Sequence, residues 1–351
     1  MTNSEETRTV QSSEIPYPPS WIDRLIHWID RLPIPVWLFY VLGMLFQIFI
    51  VSLALWIDGS VPFGMIGSIP GIFPPSVFAF LALYHYLTRI GSRSLLTFRP
   101  LLNVNETEFT RINYEFATLH RKWDWLIIPV SVFMAYPYLI DNPVTWGDLI
   151  PNTSLLLVTA WVIISFFDIT FFALIIRVIR QLRMIRNLHA QATNINLLKL
   201  KPAHAFSILT SRMAIGYILI VIMSYFRDPS YYVDSWNLYG LILMVLVAVV
   251  VFIAPVIGLR ELLENEKERK LDEASDLLQA TTESLHKKLQ NNNYDDIGGM
   301  ETAISTLTRE RENLEKISTW PWDTSTLRGF ASSLLLPIFL WLITRLLENF
   351  F

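Results

Sequence analysis

Apolar stretches alternate with polar ones along this chain, at about Val36–Ile57, Ser76–Thr88, Trp125–Ile140, Leu155–Ile176, Ala205–Phe226, Leu241–Leu259 and Leu327–Leu347. The pattern predicts an all-α, polytopic integral membrane bundle of about seven spans. Leu241–Leu259 is a run of nineteen residues with no ionisable group, which at about 1.5 Å per residue covers roughly the hydrocarbon core of a bilayer. It passes into RELLENEKERKLDEASDLLQATTESLHKKLQ, which holds neither Gly nor Pro, so one helix is expected to leave the membrane without stopping; Pro255 alone could bend it. After the turn cluster NNNYDDIGG, Ile297, Met300, Ile304, Leu307 and Leu314 mark a second amphipathic helix with Arg311 on its seam. The two helices form a hairpin whose first arm offers Leu263, Leu271, Ala274, Leu278 and Leu285.

Two further amphipathic segments are expected to lie at the membrane surface. In SWIDRLIHWIDRL, Trp21, Ile22, Leu25, Ile26, Ile29 and Leu32 fall on one face, with Asp23, Arg24, His27, Asp30 and Arg31 on the other and Ser20 as N-cap. Around residues 105–120, Phe109, Ile112, Phe116 and Leu119 repeat at helical spacing behind a capping box of Asn105 and Glu108. The chain then divides into a disordered tail (1–19), an interfacial helix (20–33), a six-span bundle (34–259), a cytoplasmic hairpin (260–319) and a seventh span (320–351).

Loops after the first and third spans carry no Lys or Arg and the loop after the fifth carries Arg227, whereas the alternate loops hold six or more. The positive-inside rule therefore places the N-terminus in the cytoplasm and the C-terminus outside, in what is expected to be the plasma membrane.

Composition agrees with the pattern. The 351 residues are 52% hydrophobic and 17% charged, with a mean hydropathy of +0.40. A net charge of -3 without a concentrated basic surface argues against nucleic acid, and the absence of cysteine removes disulfides, thiolate nucleophiles and Cys-based zinc sites. The six histidines never recur at ligand spacing, and HExxH, GxGxxG, GxSxG and Walker-type loops are missing, so no metal, cofactor or catalytic residue is expected.

Ionisable residues within spans are the best pointers to function, because burying one in hydrocarbon costs several kcal/mol unless it is paired or wetted. Asp168, Arg212 and His85 come to similar depth. Such a cluster would line a substrate, ion or proton path, or be a structural ion pair between helices. Arg177, Arg180, Arg183 and Arg186, at three-residue spacing, would meet lipid headgroups or simply express the positive-inside bias. Arg345, with Glu348 three residues on, snorkels at the outer end of the last span.

Two functional readings follow. One is an oligomeric channel or transporter-like protein assembled through its hairpins. The alternative is a sensory or scaffolding membrane protein that engages a soluble cytoplasmic partner through the hairpin, where ten basic and fifteen acidic residues between Arg260 and Arg328 leave a net charge of -5. An intramembrane enzyme is the least favoured class, because its paired acids or dyads are missing.

Overall fold

The computed structural model describes residues 16–67, 69, 75–140, 146, 149–193, 195, 197, 199–227, 242, 246–253, 257–291, 297–320, 322 and 324–348. Most of the expected tail, the linker after the fifth span, Pro255, the centre of the hairpin turn and the side chains of Arg345 and Glu348 lie outside the described residues. Among the described residues the chain is all-helical, with no strand.

A short helix α1 (Trp21–Ile29) begins on the Ser20 cap, whose hydroxyl accepts from the Asp23 N–H. Next comes α2 (Val36–Asp58), which Gly59 ends at a φ of 79°, a left-handed conformation open to a residue without Cβ. Helix α3 (Ser76–Phe98) runs ten residues beyond the expected span, and α4 (Glu106–Ala117) starts on Asn105, which accepts from the Glu108 N–H at 2.8 Å. The expected third span is α5 (Asp124–Met134), eleven residues or about 16 Å long, followed by a 3₁₀ turn at Tyr136–Leu139 where Pro137 falls. The longest helix in the bundle is α6 (Ser154–Ala190), which packs against α2, α3, α5 and α7 (Ala205–Arg227). The hairpin follows as α8 (Ile257–Gln290) and α9 (Ile297–Lys316), and α10 (Thr324–Glu348) returns to lie on α7.

Three helices are long and apolar enough to cross a membrane: Val36–Asp58, Ser154–Ala190, and Leu246–Gln290 counted across 254–256. That is compatible with a membrane protein. It does not establish seven crossings, since α5 is short and α3 carries Arg89 and Arg93 in its second half. Outward-facing residues on α2 are large and apolar, among them Trp37, Leu45, Phe46 and Phe49, as contact with lipid tails requires.

At the end of the bundle that bears the arginines, the helices build a second packed layer. Leu95 and Phe98 of α3, Phe109 and Phe116 of α4, Ile185 and Leu188 of α6 and Phe206 of α7 are all buried in one cluster. Phe98 and Phe206 lie 4.6 Å apart between ring centroids. Gly91 lets α3 approach closely here, because a Cβ would sit 3.0 Å from the Gln181 amide and 3.1 Å from the Phe116 ring. Helix α6 does run on past its apolar part, but there it is sheathed rather than bare.

In the hairpin, Leu263, Ala274 and Leu314 are buried and Leu271, Leu278 and Leu285 half-buried, so the seam forms within one chain. Arg311 leaves the seam and pairs with Glu315 at 3.2 Å. The Lys267 ammonium donates to the carbonyls of Glu315 at 2.7 Å and Ile317 at 2.8 Å, a cation on the C-terminal end of α9. At the hairpin's base Phe252 stacks on Trp322 and on Phe330, with centroids 4.7 Å and 3.9 Å apart.

Candidate functional site

Helix α1 lies across the basic end of the bundle and inserts the Asp23 carboxylate into it. The sequence pattern puts Asp23 on the polar face, yet it is 2% exposed, as deep as Ile22, Ile26 and Ile29. One carboxylate oxygen accepts from the Leu119 N–H at 2.7 Å and the Ser20 hydroxyl at 2.8 Å. The other accepts from the Tyr84 hydroxyl at 3.0 Å and pairs with the Arg177 guanidinium at 3.2 Å. Arg177 also donates to the Ala117 carbonyl at 2.6 Å and lies 4.4 Å above the Tyr84 ring. Four elements meet on one ion pair: α1, α3, α6 and the 117–120 connection.

Around this core runs a collar of further bonds. Arg180 donates to the Thr118 carbonyl at 2.8 Å and to the Tyr17 hydroxyl, which itself donates to the same carbonyl at 2.8 Å. Burial raises the pKa of Tyr17 above the ordinary phenol value, with Arg180 opposing, so its hydroxyl stays a donor at neutral pH. Tyr114 donates to the Tyr17 carbonyl at 2.7 Å, and the Tyr17 ring stacks on His120. At the far end of α1, Asp30 faces His85 Nε2 at 3.1 Å and pairs with Arg89. On its other side the His85 ring hydrogen-bonds through Nδ1 with the Tyr40 hydroxyl at 2.9 Å.

The arginines at three-residue spacing do not form a stripe. Three residues turn an α-helix by about 300°, so Arg186 lies on the side of α6 opposite Arg177. Arg177 is buried at 3% exposure and Arg180 is partly enclosed, whereas Arg183 and Arg186 are exposed. The first two therefore bind protein rather than headgroups, which corrects the expectation for Arg177 and Arg180.

The structure does not assemble Asp168, Arg212 and His85. His85 belongs to Asp30, Arg212 is exposed on α7, and Asp168 is half-buried on α6 with no ion pair to a described residue. An apolar cavity of about 260 Å³ between α3, α6, α7 and residues 246–253 is lined by Phe80, Leu87, Phe171, Met213, Tyr217 and Val251, among others, and by none of these three. Ser165 and Thr170, beside Asp168, return their hydroxyls to carbonyls of their own helix at 2.7 Å and 3.0 Å. Sequence reasoning missed the Asp23–Arg177 pair because it links residues 154 positions apart. The available signal was a surface helix carrying an acid directly beside its apolar face.

A second carboxylate closes the opposite end. Asp58, at the end of α2, accepts from the Asn152 N–H at 2.9 Å and from the Thr153 N–H and hydroxyl at 2.6 Å each, just where α6 begins. From Ser154 to Arg177 the helix rises about 35 Å, close to a bilayer's hydrophobic thickness, so the two polar layers bracket an apolar band of membrane depth. Among the described residues no group of His, Asp and Glu side chains could hold a metal ion. Comparison with known proteins finds no match: no family model fits the chain, and neither a curated protein nor a solved structure resembles it.

Proposed function

We propose that this protein is a membrane-anchored scaffold or sensor whose bundle holds the charged hairpin in the cytoplasm for a soluble partner. The carrying observation is the stripe of carboxylates on the hairpin's outer face. Glu261, Glu268, Asp272 and Asp276 fall within about 80° of one another around α8, away from the Leu263 and Ala274 seam. All four are exposed, and none makes an ion pair with a described residue, while Arg260, Arg269 and Lys270 are held by neighbouring glutamates. A partner with a basic surface fits that stripe, and charge complementarity would speed its encounter and make it salt-sensitive. The collar and the Phe252 stack supply the stiffness such a platform needs.

The channel or transporter reading, with subunits joined through hairpins, would need a wetted path, and the residues expected to line one stand apart. Cross-linking the full chain in cells, with and without Glu261→Gln, Glu268→Gln, Asp272→Asn and Asp276→Asn together, tests the proposal. A soluble protein captured by the wild type and lost with the four changes is the expected outcome. Ion or solute flux from reconstituted protein that persists after deleting 261–319, with no partner depending on the stripe, would overturn it.

A further inference from the structure

The junction between α1 and the start of α5 carries unpaired cations beside exposed tryptophans, a feature the scaffold reading does not use. The two segments are sewn together: the Trp21 N–H donates to the Asp124 carboxylate at 2.9 Å, the Arg121 N–H to the Pro18 carbonyl at 3.0 Å, and the Ser20 N–H to the Leu119 carbonyl at 2.9 Å. This brings Arg24, one turn into α1, and Arg121 near enough to the Asp124 carboxylate for both to act on it, with Lys122 the next residue after Arg121. Asp124 is buried, whereas Arg24, Arg121 and Lys122 are exposed and make no ion pair with a described residue.

Their position matters as much as their charge. Directly after Lys122 and Asp124, α5 presents Trp125 at 78% exposure, followed by Leu126, Ile128, Val130 and Phe133 on its outer surface. On α1, Trp28 is exposed on the same side as Arg24, four residues away. The cations thus sit one step outside the first apolar, outward-facing surface, with an indole at its edge. A phospholipid phosphate lies at that level, and indole rings favour it because they combine an apolar body with one N–H donor.

We propose that Arg24, Arg121 and Lys122 form a headgroup site for an anionic phospholipid, with Trp28 and Trp125 flanking its acyl chains. The occupant is a phosphate ester carried on a lipid. Three cations around one small patch exceed what a zwitterionic headgroup can satisfy, and the apolar α5 surface continues from the patch without a break. Arg183 and Arg186, likewise exposed cations but on α6, serve as the comparison.

Thermal unfolding of the full chain in nanodiscs of phosphatidylcholine alone, and of phosphatidylcholine with phosphatidylglycerol, tests the site. Phosphatidylglycerol should raise the midpoint of the wild type by several degrees. R24Q/R121Q/K122Q should lose most of that rise, while R183Q/R186Q should keep it. A triple variant that keeps the full rise, or a control pair that loses as much, overturns the assignment. So does a rise of equal size produced by inorganic phosphate with phosphatidylcholine alone, which would make the ligand a soluble phosphate. If the triple variant does not fold, Lys122→Gln is read by native mass spectrometry: fewer co-purified phosphatidylglycerol molecules than on the wild type supports the site, and an unchanged number overturns it.

Discussion

Two buried carboxylates about 35 Å apart along α6 are satisfied in opposite ways. Asp23, at the basic end, is 2% exposed and paired with a guanidinium of equal burial. Asp58, at the other end, is 5% exposed and has no cation among its partners. Its charge is met by two backbone N–H groups and two hydroxyls, from Asn152, Thr153 and Ser60, at the positive end of the α6 dipole. The difference follows the charge bias of the loops. Where Lys and Arg are abundant a carboxylate finds an ion-pair partner. Where the loops hold none, a helix N-terminus is the positive charge available. Both arrangements fix where a helix meets the edge of the apolar band, but one makes two buried charges depend on each other and the other does not.

The largest expected effect therefore comes from removing one member of the ion pair. Arg177→Met leaves the Asp23 charge buried with only neutral donors, and breaking a buried pair in this way typically costs about 3–5 kcal/mol. Thermal unfolding in detergent should show a large fall in midpoint. Adding Asp23→Asn, which keeps an acceptor for the Leu119 N–H while removing the charge, should recover part of the loss. Equal damage in the single and double variants would mean that the pair is not the element holding α1 down.

A smaller loss is expected at the other end. Asp58→Ala removes a helix cap rather than stranding a charge, which costs about 1–2 kcal/mol. Asp58→Asn should lie close to the wild type, since an amide oxygen still accepts from the N–H groups. If Asp58→Ala proved as harmful as Arg177→Met, the distinction between the two ends would fail. Hydrogen exchange at the Asn152 and Thr153 N–H groups offers a local reading, because those two amides lose their acceptor.

The elements of this fold were legible from periodicity and capping chemistry. The Ser20 and Asn105 caps, the hairpin seam and the unbroken run of α6 past its apolar part all follow from residues within a few turns of one another. What joins those elements was not legible. Asp168 drew attention as an acid inside a span, and the pairing inferred for it relied on equal depth along separate helices. Depth says nothing of the angle at which a residue faces its neighbours, and Arg212 turns outward. Asp23 sits in a helix whose amphipathic pattern is clear, yet it lies at the boundary of the apolar face, about 60° around the helix from Ile26, where the rotation of the helix decides between solvent and core. Such rotations are set by what covers the helix, here the 117–124 connection and Arg177 from the distant α6.

Alkaline pH sharpens the contrast with the gentlest perturbation. Burial raises the pKa values of Tyr17 and Tyr114 above the ordinary phenol value, and both belong to the collar at the basic end. A phenol held neutral by the fold contributes stability that is complete below the unfolded-chain value near 10 and is lost as pH rises toward the folded value. Unfolding midpoints should therefore fall above about pH 10. Tyr17→Phe removes one titrating group together with its bond to the Thr118 carbonyl and the one it accepts from Arg180, while Arg180 keeps the Thr118 carbonyl satisfied. The variant should start slightly below the wild type at neutral pH and decline less steeply in alkali. Asp58→Ala, which alters no phenol contact, should decline in parallel with the wild type. Parallel decline for Tyr17→Phe as well would place the alkaline weakness outside the collar and leave Tyr17 a packing residue.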